Sequence, residues 1–131
     1  MTLTLGPKLR ANLLAAARQK PTVEVCGWGF LTHLREDRAM LVEVDNVSPT
    51  PDRAFAMSPE QCAATWTGLF TWHSHPTRVA RLSLADAAFM AVTQCPLVIV
   101  SLRAPGSIAV FDWLPAPVMG SRIQKVGEWR A

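Results

Sequence analysis

Two histidines two residues apart lie in the run Thr71-Trp72-His73-Ser74-His75-Pro76, and Ser83-Leu84-Ala85-Asp86 follows shortly after. On a strand alternate side chains share a face, so His73 and His75 point one way and Ser74 the other. Imidazoles paired in this manner can hold one zinc ion through bonds of about 2.0–2.1 Å. Pro76 stops the strand. The chain then loops into a helix whose first turn carries Asp86, where the positive end of the helix dipole favours a carboxylate. Two neutral imidazoles and one carboxylate leave a fourth position open for water, the composition of a catalytic rather than a structural zinc site. Zinc lowers the pKa of such a water to about 7. A coordinated Asp86 cannot also act as the base, so another carboxylate is needed, and Glu24 is the candidate.

Glu24 lies in Pro21-Thr22-Val23-Glu24-Val25-Cys26-Gly27-Trp28-Gly29. A carboxylate in so apolar a segment is costly to bury without a partner, and a metal-activated water would be one. The two glycines permit close backbone approach beside the site. Each residue also has an ordinary reading. Glu24 alone can be an edge-strand residue facing solvent, His73 and His75 satisfied core or surface histidines, and Ser83 with Asp86 a capping box. Capping is compatible with ligation, and the coincidence of all these residues in one short chain favours a site.

The elements that must position them follow from local pattern. Met1–Leu5 alternates as a short strand. Pro7 opens a helix to about Gln19, ended by Lys20-Pro21. Val23–Leu31 and Ala39–Val44 read as strands joined through a turn at Arg35–Arg38. Asn46–Asp52 is loop. Ser58, Pro59 and Gln61 start a short helix to about Thr67. Leu69–His75 is a strand, Ser83 caps a helix to about Thr93, and Leu97–Leu102 and Ile108–Leu114 are strands around an Ala104–Ser107 turn. The residues beyond Pro117 are weakly patterned and receive no assignment. Helices interspersed among strands, some in hairpins, predict an α/β fold with a mixed sheet.

The 131 residues suffice for one domain, 1–131, with its own core. Half are hydrophobic and 18% charged, which excludes a disordered chain. No apolar run is long enough to span a membrane. No secretion signal heads the sequence, so a cytoplasmic location is expected. Cys26, Cys62 and Cys95 are too few and too irregular for a disulfide framework and read as small buried hydrophobes. The net charge of +3 comes from scattered residues, not the dense basic run of a nucleic-acid binder. A deaminase would need a P-C-x-x-C pair, whereas Cys95-Pro96 has the wrong order and no second cysteine.

At these residues the sequence resembles the JAMM, or MPN-plus, metalloprotease family. Its signature is an upstream glutamate, an H-S/T-H-P run, and a serine and aspartate three apart, with ten residues between the second histidine and the aspartate. Pro76 to Ala85 supply those ten here, and Glu24 stands in an E-x-C-G context ahead of a glycine-bearing strand. The similarity runs from Pro21 to about Val110. One departure is Leu82, where many members have proline before the serine.

The resemblance implies a mixed, curved sheet flanked by helices, the MPN fold related to cytidine deaminases. It implies that His73, His75 and Asp86 ligate Zn2+ and that Glu24 moves the proton. It further implies that Ser83 donates to the oxyanion, and that Ser74 supports packing. The substrate implied is a small ubiquitin-like or sulfur-carrier protein with an extended tail ending in Gly-Gly, cut at a peptide or isopeptide bond. An inactive MPN scaffold and a phage-tail or cell-wall peptidase are the alternatives. Arg78 and Arg81 are candidates either for meeting acidic partner residues or for simple solvation. Trp28 and Trp72 are read as core.

Overall fold

The computed structural model describes residues 3–31, 39–57 and 69–130. Pro7 opens helix α1 (Pro7–Arg18), where its missing N–H leaves no intrahelical bond unmade. The strands are β1 (Cys26–Leu31), β2 (Ala39–Val44), β3 (Leu69–His75), β4 (Leu97–Ser101), β5 (Ser107–Val118) and β6 (Ser121–Arg130), with helix α2 (Leu84–Thr93) between β3 and β4. They form one sheet in the order β2-β1-β3-β4-β5-β6. Among the described residues only β3 and β4 pair in parallel, and α2 supplies the crossover that a parallel pair requires. The α/β mixed sheet expected from sequence is therefore present. The predicted helix at Ser58–Thr67 and the turn at Arg35–Arg38 lie outside the described residues, as does Cys62.

Strand alternation divides the interior between the two described helices. Phe70, Trp72, Val98, Val100, Ile108 and Val110 face α1 and meet its Leu9, Leu13 and Leu14. Leu97, Ile99, Ala109 and Phe111 face α2 and its Met90. A helix of twelve residues is marginal alone. Burial of each leucine of α1, at about 2 kcal/mol apiece, holds it on the sheet. Trp72 is buried and donates its indole N–H to the Trp28 carbonyl at 3.1 Å, so both tryptophans are core, as read from sequence. Gly27 is required by this packing: a Cβ there would run into the Val42 carbonyl and the Trp72 ring. Cys26 is buried in a cluster with Trp28 and Met57, and Cys95 is half-buried beside it.

Three boundaries differ from expectation. Residues 3–6 form no strand, although Leu3 and Leu5 are buried; their alternation serves as an anchor beneath α1. β1 starts at Cys26 rather than Val23, because the Glu24 N–H bonds the Pro51 carbonyl and the Val25 N–H bonds the Ser74 hydroxyl. β5 continues to Val118 and turns into the unassigned β6 through Met119 and Gly120, both at positive φ, the two-residue geometry that suits strand twist. Among the described residues no helix is long and apolar enough to cross a membrane.

Candidate metal centre

β3 delivers the two imidazoles. Its alternation puts His73 and His75 on the face toward α2, fully buried, with their Nε2 atoms 3.2 Å apart. Ser74, between them, accepts the Val25 N–H on its hydroxyl at 2.8 Å. The Ser74 N–H bonds the Val25 carbonyl in turn at 2.8 Å, just beyond the last ladder pair, Cys26 opposite His73, which brings Glu24 to the same end of β3. The Ser74 hydroxyl thereby ties the segment ahead of β1 to β3.

The capping box delivers the carboxylate. Ser83 Oγ accepts the Asp86 N–H at 3.1 Å, and Asp86 Oδ2 accepts the Ser83 N–H at 2.9 Å. With one oxygen fixed by the cap, the other, Oδ1, lies 3.1 Å from His73 Nε2. Oδ2 stands 3.8 Å from His75 Nε2. The cap thus occupies one oxygen of Asp86 and leaves the other directed at His73. Burial alone would raise the Asp86 pKa, but the hydrogen bond and charge of His73, with the Ser83 bonds, hold it down to about 2.

This donor set fits a divalent metal ion. Bonds of about 2.0–2.1 Å in tetrahedral geometry put neighbouring donor atoms about 3.3–3.4 Å apart. The nitrogen–nitrogen and nearer nitrogen–oxygen separations here are 3.2 and 3.1 Å. Two imidazole nitrogens facing each other in a dry interior repel unless a proton or a cation lies between them. His75 is preset for the second case: its Nδ1 is 2.9 Å from the Val79 carbonyl, which only accepts, so Nδ1 carries the proton and Nε2 keeps its lone pair. The buried His73 Nδ1 has no partner among the described residues. Phe55 stacks on the His73 ring at 4.3 Å and meets Phe89 of α2 at 5.0 Å, which shields the imidazoles from water.

Glu24 joins the site from the other side. Its carboxylate and the two imidazoles present atoms all within 4.8 Å of one another. Two overlapping sets, His73-His75-Asp86 and His73-His75-Glu24, therefore share the histidines. Asp86 makes the closer approach, whereas Glu24 Oε2 is already held by the Arg78 guanidinium at 2.9 Å. Burial pushes the Glu24 pKa up, and the neighbouring His73 and Arg78 oppose that shift. Asn46 fixes the Glu24 backbone: its amide donates to the Glu24 and Ala54 carbonyls while its oxygen accepts from Ser48 and Ala56. A cavity of about 560 Å³ opens here between Glu24, Phe55, Met57, Arg78, Asp86 and Phe89.

Arg78, Asn46 and Phe55 went unassigned as site residues from sequence. From sequence Arg78 is a candidate for meeting acidic partner residues or for simple solvation, and neither reading points to Glu24, which is 54 positions away. Asn46 and Phe55 carry no signal beyond a polar loop and an aromatic, because their roles depend on how the 46–57 loop folds back over β3.

Burial, reinforced by the neighbouring His73, lowers the His75 pKa to about 4 from the ordinary 6.5. Between those values the unfolded chain binds the extra proton and the folded chain refuses it. In protein stripped of metal, stability should therefore be full above about pH 6.5 and fall by up to about 3 kcal/mol as the pH drops toward 4. Asp86 acts in a lower window: its contribution is lost from about pH 4 down to about 2. Urea midpoints of the chelated protein at about pH 7 and about pH 4.5 check this, and His75→Gln should abolish the difference.

The comparisons agree with this architecture. Residues 7–114 match the family model for prokaryotic homologs of the JAB domain. The solution structure of a protein from Desulfitobacterium hafniense superposes with a TM-score of 0.65 at 22% identity, covering 95% of this chain and 90% of that one. At that identity the likeness concerns the fold. No curated protein matches the chain.

Proposed function

We propose, from the premise that the chain belongs to the prokaryotic JAB-domain family, that it is a zinc-dependent peptidase. In this reading it acts in the cytoplasm and cuts the bond after the Gly-Gly tail of a small ubiquitin-like or sulfur-carrier protein. One observation carries the reading: His73, His75 and Asp86 converge with donor separations of 3.1–3.8 Å, and the buried Glu24 faces the same point.

His73, His75 and Asp86 would hold the zinc ion. When bound, that ion supplies a Lewis acid that polarises the scissile carbonyl and acidifies water. Glu24 takes a proton from the attacking water and returns it to the departing amine. Burial raises the pKa of its carboxyl, the direction that makes it a better proton acceptor. Arg78 holds the carboxylate in place from the rim. Ser83 Oγ spends a lone pair on the Asp86 N–H, which leaves its own O–H to donate to the carbonyl oxygen as negative charge develops. Phe55 and Phe89 keep bulk water from the imidazoles. A glycine pair lets the substrate backbone approach such a recessed centre.

Ser83→Ala separates two roles of one hydroxyl. Loss of the cap should cost about 0.5–2 kcal/mol of stability, and loss of the oxyanion donor should lower kcat by about 10²–10³ with zinc retained. Lower stability at unchanged kcat would leave Ser83 as a cap alone. The function itself is tested by incubating the zinc-loaded protein with ubiquitin-like and sulfur-carrier fusions ending in Gly-Gly, with and without a chelator. Mass spectrometry should find cleavage after the second glycine that the chelator abolishes. Intact fusions throughout the panel would contradict the proposal.

A further inference from the structure

A second concave surface lies on the same sheet face as the candidate centre. Across the ladder His75 stands opposite Ser101, Ser101 opposite Ser107, and Ser107 opposite Arg130. Directly paired residues share a face, so Arg130 and His75 end one row of side chains that spans three strand spacings, about 14 Å. The two residues between them are serines, too small to close the row. Over this stretch lies a cavity of about 510 Å³, walled by Arg81, the Arg103–Gly106 turn, and Lys125, Glu128 and Arg130 of β6. A smaller cavity of about 320 Å³ shares Arg81 and Arg103 with it and reaches His75, Arg78 and Ser83. The two form one trough leading to the centre.

The charge of this trough is one-sided. Four cations line the larger cavity against one carboxylate, Glu128, which pairs with Lys125 at 2.6 Å. Arg81, Arg103 and Arg130 form no ion pair with any described residue. Concentrating cations in a concave surface focuses their field and favours an anionic ligand. The cavity accommodates a side chain or two and continues into the proposed peptidase centre, so an acidic polypeptide is favoured over a nucleic acid.

We propose that the trough selects substrate tails bearing a carboxylate side chain about four residues before the Gly-Gly terminus. The spacing is about 14 Å divided by about 3.3 Å per extended residue. The acidic residue is assigned to the tail, whose extended backbone has a fixed rise per residue. This inference rests on the peptidase reading for its polarity, but its test does not require turnover.

Fluorescein-labelled peptides ending in a free Gly-Gly carboxylate are cleavage products with no bond left to cut. Their affinity for the zinc-loaded protein is measured by anisotropy with glutamate, alanine or lysine at the fourth residue before the terminal glycine. The glutamate peptide should bind about tenfold tighter than the alanine one, the sum of two or three exposed charge pairs, and the lysine peptide weaker than both. The double substitution Arg103→Glu with Arg130→Glu should erase or invert that order while the circular dichroism melt stays unchanged. Arg103→Gln with Arg130→Gln provides a milder second variant should the charge reversal unfold the protein. Equal affinities, a preference that survives both substitutions, or tighter binding of a single-stranded oligonucleotide through the same arginines would overturn the proposal. A bound glutamate peptide without fusion cleavage would instead indict the peptidase reading alone.

Discussion

Glu24→Gln should leave one zinc ion bound per chain while turnover of a Gly-Gly fusion falls by about 10²–10⁴-fold, the usual share of a positioned acid–base group. Glutamine keeps the shape of the side chain and an oxygen able to accept from Arg78, so the pair at 2.9 Å is not what is removed. What is removed is the capacity to take up and release a proton. Stability should not fall with activity. Burial raises the Glu24 pKa, so the ionised folded state is disfavoured as pH rises through that value, and a neutral amide is spared that cost. Metal analysis, a thermal melt and kcat on the same preparation check all three. Undiminished turnover would remove Glu24 from the mechanism.

Asp86→Ala should do the opposite and strip the metal. Changing a partner that only orients a ligand lowers metal affinity about 10–100-fold, so loss of a ligand should exceed about 100-fold. The variant also leaves the Ser83 N–H without its acceptor, which costs about 1 kcal/mol at the start of α2. Ser83→Ala separates the effects, since it weakens the same cap but keeps the carboxylate. Dialysis against a chelator followed by metal analysis should find zinc in Ser83→Ala and none in Asp86→Ala. Zinc retained by Asp86→Ala would point to Glu24 as the third ligand, the other set the geometry brings near the two histidines.

The parts of this site legible in the sequence are those fixed by short-range geometry. His73 and His75 share a face because a strand has period two, and Asp86 meets its cap because a capping box closes over three residues. Glu24 was legible as an anomaly, an acid among apolar neighbours. The partners that hold it were not, because Arg78, Asn46 and Pro51 approach from loops whose paths no local pattern dictates. The β5–β6 hairpin escaped for a different reason. Its outer half is exposed on both faces, so no alternation marks it. Pro115 and Pro117, which argue against a strand, fall where the register shifts between Trp113 and Val118 and ladder bonds are not required. Leu3 and Leu5 show the converse: alternation can signal a buried anchor as well as a strand.

Arg78 adds a feature that the motif does not contain. Its side chain reaches from the half-exposed rim to a buried carboxylate, and a further contact at 3.3 Å to the Arg53 carbonyl ties the two loops that border the cavity. The cation that holds the proposed base thus also joins the 46–57 loop to the loop following β3, so the position of Glu24 depends on both.

Zinc-edge X-ray absorption on the purified protein, with Glu24→Gln alongside, tests the central assignment most directly. The expected result is one zinc per chain with four nitrogen or oxygen neighbours at about 2.0–2.1 Å, two of them imidazole, and the same spectrum for Glu24→Gln. A protein that takes up no stoichiometric zinc, or a spectrum in which Glu24→Gln loses a ligand, would contradict it.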